Sequence, residues 1–144
     1  MKFMIEMTPV GKGRPRVSSR GGYSRMYTPK KTAQFETLFR RQVEKIMKDN
    51  DWQMFLDDEP LRVDLCFYFP VPQSISNKKK RELADKYHIK KPDLDNAIKS
   101  VLDACNGVVF PDDSQISVLV SSKRYIHDTE SLVGMIALEI DYAE

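Results

Sequence analysis

The chain has 144 residues, of which 41% are hydrophobic and 31% charged, and its formal net charge is +2. Such a chain is long enough for one domain with its own core, and this composition excludes a disordered protein. No apolar run approaches the roughly 20 residues that span a bilayer, and residues 1–9 lack the apolar core of a signal peptide. We therefore predict a single domain over residues 1–144, cytoplasmic and without membrane attachment. Its two cysteines, Cys66 and Cys105, lack the spacing of a zinc site and are predicted to be buried free thiols.

The first half of the chain is predicted to form a strand, a basic segment and a long helix. Lys2 to Met7 alternate apolar and polar side chains, which is typical of a half-buried strand. Residues 9–29 are rich in Gly, Pro, Ser and Arg, which indicates an arm or loose hairpin that turns at residues 21–22. Large apolar residues then recur at helical spacing, so a helix is predicted from Thr28–Pro29 to about Lys48.

The second half is predicted to contain three strands and one further main helix. Alternating apolar residues indicate a strand from Leu61 to Phe69, and Ser76 to Tyr87 is predicted to be a short charged helix or loop. A helical apolar pattern covers Asp93 to Asn106. Two strands follow, from Ile116 to Tyr125 and from Leu132 to Ile140. This order predicts an α+β domain with a mixed β-sheet packed against two main helices.

The arrangement of the charges is more informative than their sum. No acidic residue stands between Glu6 and Glu36, and this interval forms a basic arm, about residues 9–31. Tyrosines and glycines are interspersed among its cations, and glycine lets a backbone approach a phosphate. We therefore predict that the arm binds nucleic acid, in preference to the alternative that it is only a solvated surface loop. The seven cations are Lys12, Arg14, Arg16, Arg20, Arg25, Lys30 and Lys31.

Two acidic segments are the strongest candidates for chemistry. Asp93 and Asp95 stand one residue apart at a predicted helix start, directly after Lys90 and Lys91, so both carboxylates can reach one cation. A second pair, residues 112–113, follows the helix and reaches the first only if the next strand runs beside it. Carboxylates suit a hard divalent cation, which lowers the pKa of an attacking water in phosphodiester hydrolysis. Lys99 could hold a phosphate, stabilise transition-state charge or position the acids.

Each acid also has a structural alternative. Asp93 suits a helix N-cap, and Asp95 suits both the helix macrodipole and an ion pair with Lys99. Asp112 and its neighbours, after a proline, are compatible with an ordinary turn. Asp103 is predicted to be a solvated helix residue.

The motifs together resemble the RusA family of Holliday junction resolvases, which are endodeoxyribonucleases of bacteria and their phages. The resemblance extends over most of the chain, through the order and spacing of the following motifs. They are Gly11-Lys12-Gly13-Arg14-Pro15-Arg16, Tyr27-Thr28-Pro29-Lys30-Lys31-Thr32, Lys91-Pro92-Asp93-Leu94-Asp95-Asn96, Lys99, Leu102-Asp103-Ala104, Asn106-Gly107 and Asp112-Asp113-Ser114-Gln115-Ile116.

The resemblance implies a homodimer that binds four-way junction DNA and makes paired symmetric nicks in recombination and repair. It implies that Asp93, Asp95 and Asp113 are catalytic acids that bind Mg²⁺, with Mn²⁺ as a substitute. It also implies a catalytic association for Lys99, with Asp112 as a possible additional acid. The cations implied in DNA binding are Lys12, Arg14, Arg16, Lys30, Lys31, Lys90 and Lys91. Whether the gene belongs to a prophage or to its host stays open.

Two other functions use part of the same sequence. A junction or duplex DNA-binding protein that never cuts would need the basic arm but not the acids, and metal dependence distinguishes it from a nuclease. A metal-dependent phosphohydrolase acting on a small phosphate ester would use the acids, and the basic arm would recognise that ester rather than DNA. Its binding would weaken only slightly with salt, because a small ester makes few phosphate contacts.

Overall fold

A computed structural model describes residues 1–27 and 29–144, without the side chains of Arg16 and Arg20. Two short 3₁₀ turns accompany the main elements, at Arg20–Gly22 and Asp113–Gln115. The strands are β1 (Lys2–Ile5), β2 (Arg16–Ser18), β3 (Arg25–Tyr27), β4 (Leu61–Phe69), β5 (Ile116–Tyr125) and β6 (Met135–Tyr142). The helices are α1 (Lys30–Asp49), α2 (Asn77–Leu83) and α3 (Leu94–Cys105).

The main sheet has four strands in the order β1-β6-β4-β5. β4 and β5 are parallel, whereas β6 runs antiparallel to both β1 and β4. This mixed sheet, with α1 and α3 as the main helices, confirms the predicted α+β fold. The basic arm forms a separate antiparallel hairpin of β2 and β3, and Gly21 and Gly22 at its turn have positive φ, as the turn prediction requires.

One face of the main sheet joins the two helices in the hydrophobic core. Alternate residues of β4 are buried from Leu61 to Phe69, while Arg62 between them is exposed. The apolar stripe of α1, which includes Phe39 and Val43, and that of α3, which includes Val101, belong to the same core cluster. The amphipathic patterns therefore determine which face of each element is buried.

The structure moves several predicted boundaries. Thr28, the predicted start of the first helix, lies outside the described residues, and α1 begins at Lys30. β6 begins at Met135 rather than at Leu132, which is exposed and lies in a bend before the strand. Cys105 is buried, and burial raises the pKa of its thiol to about 12, but the prediction is wrong for Cys66, which is half-buried. Among the described helices, none has the length and apolar character that a membrane crossing requires.

His88 is a buried titratable group that joins the segment after α2 to β5. Its ring stacks on Phe69 at 4.0 Å between ring centroids, and its backbone N–H donates to the carbonyl of Lys123 at 3.0 Å. Burial, with smaller contributions from Lys123 and Lys90, lowers the pKa of His88 to about 4 from the ordinary 6.5. The imidazole is therefore neutral in the folded protein at neutral pH.

We expect this histidine to make the protein less stable as pH falls from about 6.5 toward 4. In that window the unfolded chain protonates His88 and the folded chain does not, which costs about 1 kcal/mol at pH 5 after allowance for solvent screening. Urea unfolding at pH 7 and pH 5 should show this loss in the wild type and a smaller one in His88→Phe, which keeps the stacking. Equal losses in both proteins would contradict the assignment. His127→Asn is the control. The hydrogen bond to Asp85 raises the pKa of His127, so His127 stabilises the fold at low pH and this stabilisation is lost as pH rises. Replacing it should therefore not reduce the loss of stability between pH 7 and pH 5.

Candidate active site

The first acidic segment lies where the chain enters α3 and is tied to β5 by one lysine. The ammonium of Lys123 donates to the carbonyl oxygens of Lys90 and Pro92, at 2.8 Å each. Two backbone acceptors thereby hold the residues in front of α3 against the end of β5. In the sequence Lys123 is an isolated lysine near the end of a predicted strand. No signal in the sequence could have predicted that it holds the segment before α3.

Asp93 occupies the N-cap position of α3 without acting as a cap. Its backbone is extended, but its side chain makes no capping hydrogen bond, and its carboxylate instead pairs with Lys91 at 2.9 Å. That hydrogen bond, assisted by the charges of Lys91 and Lys123, lowers the pKa of Asp93. The carboxylate is therefore ionised and half-exposed. Asp93 has the predicted N-cap position, but its side chain does not cap the helix.

Asp95 and Lys99 do not form the ion pair that their spacing allows. Asp95 is exposed in the first turn of α3, and within the described part of the chain no ion pair includes it. Lys99 instead pairs with Asp103 at 3.0 Å. The same carboxylate accepts from Lys12, whose ammonium also contacts Glu36 at 2.6 Å.

Asp103 is therefore not a solvated helix residue, because its side chain is only 19% exposed and links α3 to the arm and to α1. Burial lowers the pKa of Lys12, but the hydrogen bonds that its ammonium donates to Glu36 and Asp103 outweigh this effect, so the net shift is upward. Lys12 thus remains protonated and already has two acidic partners, unlike the other predicted DNA-binding cations whose side chains the structure describes.

Two glycines of the arm allow close packing beside the acidic segment. A Cβ at Gly11 would lie 2.8 Å from Cβ of Pro92, and one at Gly13 would lie 2.7 Å from Cγ of Pro29. The N–H of Lys12, between them, donates to the carbonyl of Asn96 at 2.9 Å. At Gly11 and Gly13 the missing side chain lets the backbone of the arm pack against Pro92 and Pro29. This corrects the prediction that these glycines accommodate a phosphate.

Asp112 and Asp113 have different surroundings. The hydroxyl of Ser114 donates to Asp112 at 2.5 Å and lowers its pKa, and the N–H of Asp112 donates to Gln115. Gln115 in turn donates to the carbonyls of Leu56 and Glu59. Asp112 therefore shapes the turn, as its structural alternative predicted, and among the described residues no ion pair engages Asp113.

One chain does not bring the three predicted metal ligands together. Asp113 stands just before β5, whereas Asp93 lies beside Lys123 near the other end of that strand. The seven steps along the strand from Ile116 to Lys123 extend about 23 Å, and the twelve residues of α3 extend about 18 Å in the other direction. Across residues 1–27 and 29–144 no three His, Cys, Asp or Glu side chains form a group that could hold a metal. A three-acid magnesium site within a single chain does not fit this geometry.

Most of the predicted DNA-binding cations are available at the surface. Lys30 and Lys31 are exposed at the start of α1, and Arg14 is exposed in the arm. Lys90 and Lys91 are exposed next to Asp93. The side chain of Arg16 lies outside the described part of the chain. Lys90 and Lys91 therefore lie beside the Asp93–Asp95 segment, and the arm that carries Arg14 packs against the start of α3 through Gly11 and Lys12.

An α+β domain whose exposed carboxylates stand among exposed cations carries the two kinds of group that phosphodiester hydrolysis uses, cations for the phosphate and acids for the chemistry. The family model described as "Endodeoxyribonuclease RusA" matches residues 6–133. The chain therefore belongs to the RusA family of endodeoxyribonucleases. It is also 37% identical, over 129 residues, to a Bacillus subtilis (strain 168) protein described as "Uncharacterized protein YqaN". That match covers 87% of each chain.

Proposed function

We propose that this protein resolves Holliday junctions by making paired, symmetric nicks, as a homodimer that depends on Mg²⁺ or, in its place, Mn²⁺. The observation that supports this proposal best is the pair of exposed carboxylates, Asp93 and Asp95, next to exposed lysines in a member of an endodeoxyribonuclease family. A phosphodiester substrate needs both features, because the cations bind phosphates and the acids assist hydrolysis.

The cations around the acidic segment would hold the DNA. Arg14, Lys30 and Lys31 would contact phosphates of one arm of the junction, and Lys90 and Lys91 would hold the strand near the acids. Phosphate contacts of this kind release counterions, so binding should weaken steeply as salt rises. Lys12 would act indirectly, because its contacts with Glu36 and Asp103 fix the arm against α3.

Hydrolysis would add one water to one phosphodiester bond on each of two opposing strands. The water oxygen forms a bond to phosphorus, the bond from phosphorus to the 3′ oxygen breaks, and that oxygen takes a proton. The products are a 3′-hydroxyl and a 5′-phosphate, which a ligase can join. Asp93 and Asp95 of one subunit of the proposed homodimer and Asp113 of the other are the proposed ligands of Mg²⁺, which when bound would polarise the phosphate and lower the pKa of the water.

Lys99 would act from one turn beyond Asp95. Its side chain is 60% exposed while it pairs with Asp103, so it can still interact with a phosphate that approaches the acids. In this position it would stabilise the negative charge that develops in the transition state. Asp112 would hold the turn that presents Asp113.

Cleavage of a synthetic four-way junction tests the proposal. We expect symmetric nicks in two opposing strands with Mg²⁺ or Mn²⁺, no nicks with a chelator, and little cleavage of linear duplex of the same sequence. Binding of both substrates should be measured over a range of salt in the same experiment. Tight, salt-sensitive binding without cleavage under any divalent metal would favour the DNA-binding protein that never cuts.

A further inference from the structure

One large apolar side chain stands in solvent close to the acidic segment. Ile89 is 88% exposed, more than any other large hydrophobic side chain that the structure describes, and three residues separate it from Asp93. A fully extended chain would place the Cα atoms of Ile89 and Asp93 about 14 Å apart, so their separation is no larger than this. An apolar side chain in water gains free energy when a partner buries it. Ile89 is therefore a candidate contact for the molecule on which the acids act.

The backbone on both sides of Ile89 is fixed to β5. The N–H of His88 donates to the carbonyl of Lys123 at 3.0 Å, and the ammonium of Lys123 donates to the carbonyl of Lys90 at 2.8 Å. The His88 ring is buried and stacks on Phe69. A single exposed apolar residue is common on protein surfaces and usually has no function. Here the hydrogen bonds of both neighbours hold the isoleucine outward, so its exposure is set by the fold.

Tyr87 stands beside Ile89 and also points away from the core. The two residues flank the buried His88, and Tyr87 is 64% exposed. The guanidinium of Arg124 lies over the Tyr87 ring, 4.1 Å from its centroid, and donates to the carbonyl of Asp85 at 3.0 Å. The tyrosine is therefore held in place as well. Together the side chains of Tyr87 and Ile89 form a fixed apolar projection.

The charges around the apolar projection match a nucleic acid. Residues 86–92 contain three lysines and no acid. All three lysines are exposed, and they are Lys86, Lys90 and Lys91. Lysine is depleted from the centre of protein interfaces, which argues against a protein partner. Cations that bind phosphates on both sides of an apolar tip are instead typical of proteins that push such a side chain between neighbouring bases.

We propose that Ile89, supported by Tyr87, inserts between two bases of the junction within about four nucleotides of the bond that is cut. This inference rests on the proposed function. The distance follows from the reach to Asp93 of about 14 Å, because successive nucleotides on one strand are about 3.4 Å apart. Unstacking costs least where stacking is already interrupted, as it is where the four arms of a junction meet. The projection would therefore favour cleavage at the branch over cleavage of a continuous duplex.

A fluorescent adenine analogue that is quenched by stacking tests the insertion without requiring cleavage. The analogue replaces single bases around the branch, and each junction is bound in chelator by wild type, Ile89→Ser or Ile89→Leu. Wild type should increase the fluorescence at one or more positions, because an unstacked base is less quenched. Ile89→Ser should lose most of this increase, whereas Ile89→Leu, which keeps the apolar volume, should retain it.

Single-turnover cleavage with Mg²⁺ measures the consequence for the reaction. Ile89→Ser should cleave the junction at least about 10-fold more slowly than wild type, which corresponds to losing the burial of one isoleucine. Ile89→Leu should stay within about threefold of wild type. Because Ile89 is almost fully exposed, Ile89→Ser should keep the wild-type Tm, so that slower cleavage does not reflect loss of folding.

Met4→Ser is the matched control. Met4 is also an exposed apolar side chain, at 59%, but it lies in β1, at the opposite edge of the sheet from β5. Its replacement should leave both the fluorescence increase and the cleavage rate at wild-type levels.

The insertion is overturned if wild type increases the fluorescence at no position, or if Ile89→Ser matches wild type in both fluorescence and cleavage. It is also overturned if Ile89→Ser changes sedimentation and leaves the fluorescence increase intact, since the side chain would then contact protein. A wild type that increases the fluorescence but never cleaves would contradict the proposed function and support the insertion.

Discussion

Asp95→Asn is expected to lower the rate of junction cleavage by at least about 100-fold without weakening junction binding. The substitution removes a carboxylate that is proposed to hold the metal and that has no ion-pair partner in the described part of the chain. Removing one contact to the transition state typically lowers the rate by about 100-fold or more. Binding without metal should be unchanged or tighter, because one negative charge near the phosphates is gone. Single-turnover cleavage and a gel-shift titration measure the two effects.

Asp49→Asn is the matched control for this prediction. Asp49 is also an exposed helix aspartate, but it ends α1 and pairs with Lys45 at 2.7 Å. Its replacement should leave cleavage within about twofold of wild type, because exposed ion pairs contribute little to stability. If the Asp95 and Asp49 variants cleave equally well, Asp95 has no part in the chemistry.

Gly134→Ala is expected to lower the free energy of unfolding by about 3 kcal/mol, the upper end of what overpacking usually costs. A Cβ at Gly134 would overlap the carbonyl oxygen of Tyr68, and it would lie 3.1 Å from the proline ring of Pro9 and 3.2 Å from the Cα of Thr8. The first of these is backbone in the centre of the sheet, so relief requires strands to shift. Thermal unfolding should show a fall in Tm of about 10 °C.

Gly107→Ala is the control that separates the effect of this overlap from the effect of replacing any glycine by alanine. Gly107 follows α3 with a φ of +74°, and a Cβ there would meet nothing within 4 Å. Its replacement costs only the strain of a positive φ, about 1 kcal/mol. Similar losses from the two substitutions would mean that the sheet adjusts around Gly134 and that the overlap does not determine stability.

The sequence by itself determined the elements, the fold class and the family. Each main element has a strong local signal, such as the alternating apolar residues of β4 or the helical stripe of α3, and these periodicities depend only on neighbouring residues. The arm was likewise evident from its cations and glycines. The predicted site residues came from the order of motifs along the chain, which is also local information.

Only the tertiary structure decided how the acids are distributed in space. The sequence could not show that α3 and β5 place Asp113 at the opposite end from Asp93 and Asp95, because this depends on sheet order and strand direction. Nor could it show that Asp103 takes Lys99 as its partner, since i, i+4 spacing allows Asp95 equally well. Spacing along a helix limits which charges can meet, but packing against α1 and the arm selects the pair that forms, and thereby leaves Asp95 exposed and without an ion-pair partner among the described residues.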